Sequence, residues 1–147
     1  MHLPIEWLFS AISWAFRCEK REETMFMYIR VFWQLFRFQY YVVRADFARL
    51  YQEVRKYPYS PRLDSQDFMQ RICGAMDVAC VVYPRQVLCL QRSAATACLL
   101  RKYGVPAQMV IGVQKMPFKA HAWVEVDGRV VNDKPYMREM YTVLDRC

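Results

Sequence analysis

The sequence of 147 residues has no Cys-x-x-Cys pair, no compact run of lysine and arginine, and no internal repeat or low-complexity linker. The first absence excludes the ordinary spacing of zinc ligands. The second argues against nucleic-acid binding, although the formal net charge of +7 favours an acidic partner of some other kind. Without a linker, a chain of this length is expected to form one compact domain.

The first sixteen residues are apolar, but they lack the basic leading region and the small-residue cleavage site of a secretory signal. This stretch is also too short to span a bilayer, and Glu6 interrupts it. Peripheral attachment to a membrane through Trp7 and Trp14 is an alternative. We expect a cytoplasmic protein whose six cysteines are reduced.

Large apolar side chains are abundant instead. Hydrophobic residues make up 55% of the chain and charged residues 24%, which is the balance of a globular domain. Aromatic residues reach 16%, and nine methionines add to them. We therefore expect part of this apolar surface to contact a partner.

The most periodic segment runs from Phe26 to Leu50, where apolar residues recur at alternating steps of three and four. This spacing predicts one long helix that buries a single seam. The seam residues are Phe26, Ile29, Trp33, Phe36, Tyr40, Val43, Phe47 and Leu50. The other faces are then expected to be partly exposed, together with the seam-edge arginines that recur every seven residues. The candidates for binding a partner are Phe32, Phe38, Arg30, Arg37 and Arg44.

Shorter helices are predicted on both sides of this segment. Residues 5–16 form the first, and a charged, solvated connection over residues 17–23 follows it. Asp64 is a candidate N-cap for another helix that runs to about Cys80. Residues 1–83 are thus predicted to be a helical N-terminal region.

Residues 84–147 show a different pattern, a helix followed by a sheet. The helix is predicted from Cys89 to Tyr103, with Gly104 as its C-terminal stop. Three antiparallel strands are predicted after it: Ala107–Val113, His121–Val126 and Arg129–Asp133. Helices that precede a helix packed on a small antiparallel sheet define an α+β fold.

Three residues in this region combine into a catalytic pattern. Cys89 lies at a helix start, where amides and the helix dipole favour a thiolate. His121 opens one strand and Asp133 closes the next. Each has a common structural explanation when it is taken alone, but together they predict a triad of nucleophile, base and orienting carboxylate. The backbone amide of Cys89 and the side chain of Gln86 or Gln91 are candidate donors to an oxyanion.

The Asp127-Gly128 turn decides which residue lies opposite His121. A two-residue turn places Val126 opposite Arg129, and Asp133 then falls on the wrong face of the sheet. A three-residue turn with a bulge places His121 directly opposite Asp133. We predict the second register.

Four stretches between about Pro84 and Asp133 resemble the transglutaminase-like leader peptidases of bacterial lasso-peptide biosynthesis. They are Cys-Leu-Gln-Arg-Ser-Ala from Cys89, Arg-Lys-Tyr-Gly-Val-Pro-Ala from Arg101, Val-Ile-Gly-Val from Val110, and Pro-Phe-Lys-Ala-His-Ala-Trp-Val-Glu-Val from Pro117. The resemblance assigns the catalytic roles to Cys89, His121 and Asp133. It also implies a papain/transglutaminase-like core over residues 84–147.

The implied reaction is hydrolysis of the peptide bond between the leader and the core of a ribosomal precursor. In that family a separate small leader-binding protein presents the precursor, and an ATP-dependent cyclase closes the macrolactam on the freed amine. No metal or nucleotide is implied for the peptidase itself. Two alternatives are an acyltransferase that uses the same triad and a non-catalytic helical interaction protein.

Overall fold

The computed structural model describes the backbone of residues 5–59, 61 and 65–147, and the side chains of residues 23–59, 61 and 67–147. The predicted N-cap Asp64 and the side chains of Trp7 and Trp14 lie outside these ranges. The described helices are α1 (Ile5–Val43), α2 (Phe47–Lys56), α3 (Ser65–Val82), α4 (Cys89–Lys102) and α5 (Met137–Met140). The described strands are β1 (Ala107–Gln114), β2 (Lys119–Val126), β3 (Arg129–Val130) and β4 (Thr142–Arg146).

The four strands form one antiparallel sheet in the order β3-β2-β1-β4. Helices followed by a helix and an antiparallel sheet confirm the predicted α+β fold. Neither β4 nor α5 was predicted, because the short segment after Asp133 carries little periodicity. Within the described residues, no helix combines the length and the apolar character that crossing a bilayer requires.

Helix α4 lies at the centre of the core, between the other helices and the sheet. Its alanines, Leu99 and Leu100 are buried, and they share one apolar cluster with Leu35 of α1, Ile72 of α3 and Val124 of β2. Small side chains let neighbouring elements approach this helix from several sides. The core is therefore common to the regions before and after residue 84.

Helix α1 differs from its prediction at both ends. It continues through residues 17–23, so the expectation of a solvated connection there is wrong. Arginine, lysine and glutamate are good helix formers, and their charge alone does not end a helix. At the other end α1 stops at Val43, because Ala45 has a left-handed φ of 53° and Asp46 caps α2 through the Arg49 amide at 3.1 Å.

The buried face of α1 is also not the predicted one. The residues of the predicted seam from Phe26 to Phe47 are about half exposed or more. The residues that face the core are instead Met27, Val31, Gln34, Leu35 and Phe38. The prediction that Phe38 points outward is therefore wrong, since its side chain is 0% exposed. Short side chains such as Val31 allow α1 to pack closely on the alanine-rich helix α4.

Candidate active site

The hairpin that joins β2 to β3 has a two-residue turn. Asp127 and Gly128 both have positive φ, 48° and 76°, as a type I′ turn requires. Val126 accordingly pairs with Arg129, and Glu125 pairs with Val130. The predicted three-residue register is therefore wrong.

Asp133 still reaches His121, because the chain leaves the strand before that position. The Val131 amide donates to the Val124 carbonyl at 3.0 Å, but the Val124 amide donates to the side chain of Asn132 at 2.6 Å. The side-chain oxygen of Asn132 thus takes the place of the backbone carbonyl that would accept the next hydrogen bond between the two strands. Side chains beyond this point no longer alternate between the two faces of the sheet. The carboxylate Oδ2 of Asp133 lies 2.7 Å from His121 Nε2.

A second contact ties this departure to helix α4. Asn132 Nδ2 donates to Ser93 Oγ at 3.1 Å, and that hydroxyl donates to the Ala122 carbonyl at 2.9 Å. Asn132 and Ser93 are both buried. Their roles depend on long-range contacts, and we did not predict them from the sequence.

Cys89 occupies the first position of α4, as predicted. The first helical hydrogen bond runs from the Arg92 amide to the Leu88 carbonyl, and no side chain caps this end of α4. The His121 side chain and the backbone at Ala122 and Leu90 lower the pKa of the Cys89 thiol, and burial opposes them. These contacts favour the thiolate, and the His121 hydrogen bond contributes most to lowering the pKa of Cys89.

His121 connects the other two residues. Its pKa is raised from 6.5 to about 8, first by the hydrogen bond with Cys89 and further by the one with Asp133, while burial acts in the opposite direction. Since Nε2 faces Asp133, Nδ1 is the ring nitrogen left for the thiol. A lowered thiol pKa beside a raised imidazole pKa favours a thiolate–imidazolium pair.

The pKa values of the other described cysteines are raised and not lowered. Burial raises the pKa of Cys73 to about 11 and that of Cys98 to about 12. Cys80 and Cys147 also have raised pKa values, with burial as the main cause. Among the five cysteines that the structure describes, all free, Cys89 is thus the one with a lowered pKa.

The two glutamine candidates for an oxyanion donor differ in position. Gln91 is fully buried, and its Nε2 donates to the Leu35 carbonyl at 2.9 Å and to Gln39 Oε1 at 3.2 Å. Both of its donor hydrogens are therefore occupied by α1, and the prediction for Gln91 is wrong. Gln86 is exposed on the loop that leads into α4, and its role stays a prediction.

The three arginine candidates lie against their own chain. Arg30 donates to the Tyr103 hydroxyl, Arg37 pairs with Glu53, and the guanidinium of Arg44 lies 4.5 Å from the centre of the Tyr40 ring. Within the part of the chain that is described, no three histidine, cysteine or carboxylate side chains converge as metal ligands.

The sequence profile described as the transglutaminase-like superfamily matches residues 32–146, which include Cys89, His121 and Asp133. The chain belongs to the transglutaminase-like superfamily. Enzymes of this superfamily are typically cysteine peptidases or acyltransferases. The matched region begins within α1, so the transglutaminase-like domain includes much of the helical region before residue 84 as well.

A second comparison finds similarity to a protein with a known role. The transglutaminase-like chain is 45% identical over 56 residues to the microcin J25-processing protein McjB of Escherichia coli. The match covers 38% of this chain and 27% of McjB, so well under two thirds of that protein's length is represented. No solved structure matches the chain.

Proposed function

We propose that this protein is a cysteine peptidase that removes the leader from a ribosomally made lasso-peptide precursor. The observation that carries the proposal is the 2.7 Å hydrogen bond between His121 and Asp133, together with a thiol at the start of a helix, Cys89, whose pKa His121 lowers. The similarity to a microcin-processing protein supports the choice of substrate. Free thiols in the described residues agree with a cytoplasmic setting, where the precursor is synthesised.

In the proposed reaction the Cys89 thiolate attacks the carbonyl carbon at the end of the leader. The resulting oxyanion accepts hydrogen bonds from the Cys89 backbone amide and, we propose, from the side chain of Gln86. Protonated His121 gives its proton to the departing amine, which releases the core peptide and leaves a thioester. His121 then removes a proton from water, and the hydroxide that is formed hydrolyses the thioester. Asp133 holds the ring for both proton transfers.

The acyltransferase alternative differs only in the second step, where an amine replaces water. The same triad serves both reactions. Mass spectrometry of the products separates them, because hydrolysis adds one water to the summed masses of the two fragments. Transfer to an amine adds the mass of that amine to the summed masses instead.

A docking surface for the partner protein is part of the proposal. The exposed face of α1 forms one wall of an open, apolar groove with a volume of about 1190 Å³. The α1 side chains that line it include Met25, Ile29, Phe32, Trp33 and Phe36. The opposite wall is the Tyr83-Pro84-Arg85 segment, where the Phe32 and Tyr83 rings stack at 6.2 Å. We name this feature the α1 groove.

We propose that the small leader-binding protein occupies the α1 groove. Arg85 is the one charged residue among those that line the groove, so an acidic group beside an apolar surface would complement it. The loop that carries Arg85 continues directly into Cys89, so a partner bound here would bring the precursor close to the thiol. This surface replaces the predicted contact through Phe38. The released core has a free amine, which is the substrate that an ATP-dependent macrolactam cyclase consumes.

The test uses the purified chain, a lasso-peptide precursor and its leader-binding protein. We expect cleavage between leader and core with the mass gain of one water, and its loss in Cys89→Ala and in His121→Ala. Cys80→Ala is the matched control, because Cys80 is a partly buried cysteine with a raised pKa. Circular dichroism shows whether each variant is folded. Full activity in a folded Cys89→Ala or His121→Ala protein would contradict the triad.

A further inference from the structure

The buried carboxylate of Glu125 lies on the same strand as His121 but outside the triad. Its side chain is 1% exposed. Oε1 accepts hydrogen bonds from Trp123 Nε1 at 2.9 Å and from Arg138 Nε at 2.8 Å. Oε2 accepts from a second nitrogen of Arg138 and from Arg146. Three donors on three elements, β2, α5 and β4, therefore converge on one carboxylate.

This carboxylate is ionised throughout the working pH range. Burial alone would raise the pKa of Glu125, but the hydrogen bonds from Arg138, Trp123 and Arg146 outweigh it and hold the pKa at about 2. The buried carboxylate holds the side chains of Trp123, Arg138 and Arg146 in place, because breaking these hydrogen bonds would leave a buried charge unpaired.

Two aromatic rings that contact His121 lie on, or directly beside, the elements held by Glu125. Trp123 is fully buried, and its ring lies roughly parallel to the imidazole with the centroids 6.3 Å apart. Tyr141 lies between α5 and β4, and its ring centroid is 5.4 Å from that of His121 and 6.0 Å from that of Trp123. The imidazole thus packs against a pair of aromatic rings.

Strand β1 leaves room for this pair at Gly112, which is the register partner of His121. A Cβ atom added at Gly112 would lie 2.7 Å from Cη2 of Trp123 and 2.9 Å from the Cβ of Tyr141. Real Cβ atoms do not approach so closely, so a side chain at this position would displace one of the rings. The close packing of the rings depends on a glycine here.

We propose that Glu125 is a positioning residue: by anchoring Trp123 and by holding α5 and β4, it keeps the Trp123–Tyr141 pair against the His121 ring. The imidazole must present one nitrogen to Cys89 and the other to Asp133, so its plane has to stay fixed. Rotation of the ring breaks both hydrogen bonds together. The aromatic pair restricts that rotation, and Glu125 restricts the pair. This inference rests on the proposed catalytic role of His121.

The first test is Glu125→Gln, with Glu53→Gln as its control because Glu53 pairs with Arg37 away from the site. We expect kcat for precursor cleavage to fall on the order of tenfold to a hundredfold, with KM little changed. The rate of Cys89 alkylation by iodoacetamide should reach its half-maximum at higher pH, because a mobile imidazole stabilises the thiolate less. Glu53→Gln should leave both quantities unchanged.

A second pair of variants keeps the inference testable if Glu125→Gln fails to fold. Tyr141→Phe retains the ring and should keep the wild-type pH profile of alkylation, whereas Tyr141→Leu should move it to higher pH. A wild-type profile in folded Glu125→Gln or in Tyr141→Leu would overturn the inference. Failure to cleave any precursor would refute the proposed function. The alkylation profiles would still decide the role of Glu125, because alkylation of Cys89 needs no peptide substrate.

Discussion

The coupling between Cys89 and His121 can be measured directly, because the chain has only two histidines and their ring signals are simple to assign by NMR. The pKa of His121 is raised from 6.5 to about 8 in the folded protein. That difference corresponds to about 2 kcal/mol in favour of the imidazolium form, an upper value since water screens a partly exposed ring. The hydrogen bond with Cys89 is its largest cause and the bond with Asp133 a smaller one.

Replacing Cys89 with alanine should therefore lower the His121 pKa more than replacing Asp133 with asparagine. We expect a fall of about one pH unit in Cys89→Ala. The sign follows from linkage: a raised pKa adds stability below pH 6.5, and this stability is lost as the pH rises through about 8. Cys89→Ala should lose that part of the pH dependence in urea titrations.

The assay is a titration of the His121 ring signals in the wild type, both variants and the control Cys80→Ala. An unchanged His121 pKa in Cys89→Ala would refute the assigned thiol–imidazole contact, whatever the activity of the variant. A larger fall in Asp133→Asn than in Cys89→Ala would reverse the order of the two causes.

Three further predictions address the reaction, the core and the partner surface. The kcat/KM for cleavage should decline as the pH rises through about 8, where imidazolium is lost, and a rate still rising at pH 9 would contradict the ion pair. Phe38→Ala should reduce the free energy of unfolding by about 3–5 kcal/mol and Phe36→Ala by less than about 1 kcal/mol in urea titrations; equal losses would refute the assigned core face. Trp33→Ser should weaken binding of the leader-binding protein at least about tenfold, as measured by calorimetry. The control is Leu144→Ser on β4, another exposed apolar side chain, which should leave the affinity unchanged. Equal affinities of the two variants would exclude the α1 groove as the binding surface.

The elements near the site could be predicted well because their signals are local. Cys89 begins a helix whose end is marked by Gly104, and β1 and β2 alternate or cluster apolar residues between turn residues. The α+β order follows from such patterns alone. The position of Cys89 at the start of its helix was available from the sequence for the same reason, whereas His121 is the third residue of β2 and not its first.

The face of α1 could not be predicted, because more than one side of that helix is apolar. Periodicity shows that a stripe exists, but the neighbouring element decides which stripe is buried. Here the neighbour is α4, and the close approach favours Val31 and Leu35 over Trp33 and Phe36. Because α1 is apolar on more than one side, the side that does not face α4 remains as a large apolar surface for a partner.

The register of the hairpin failed for a different reason. If both strands continue regularly to Asp133, only a bulge can place that residue opposite His121. This assumption leaves out a side chain that ends the hydrogen bonding between the strands. Asn132 does this by accepting the Val124 amide. Such a substitution of side chain for backbone is a long-range effect, and no local pattern in the sequence indicates it.

The contact between Asn132 and Val124 has an evolutionary consequence. This contact lies between the exposed Asp127-Gly128 turn and the pair formed by His121 and Asp133. The distance between His121 and Asp133 therefore depends on the contact and not on the turn. Homologues are then free to lengthen or shorten this loop without rebuilding their chemistry.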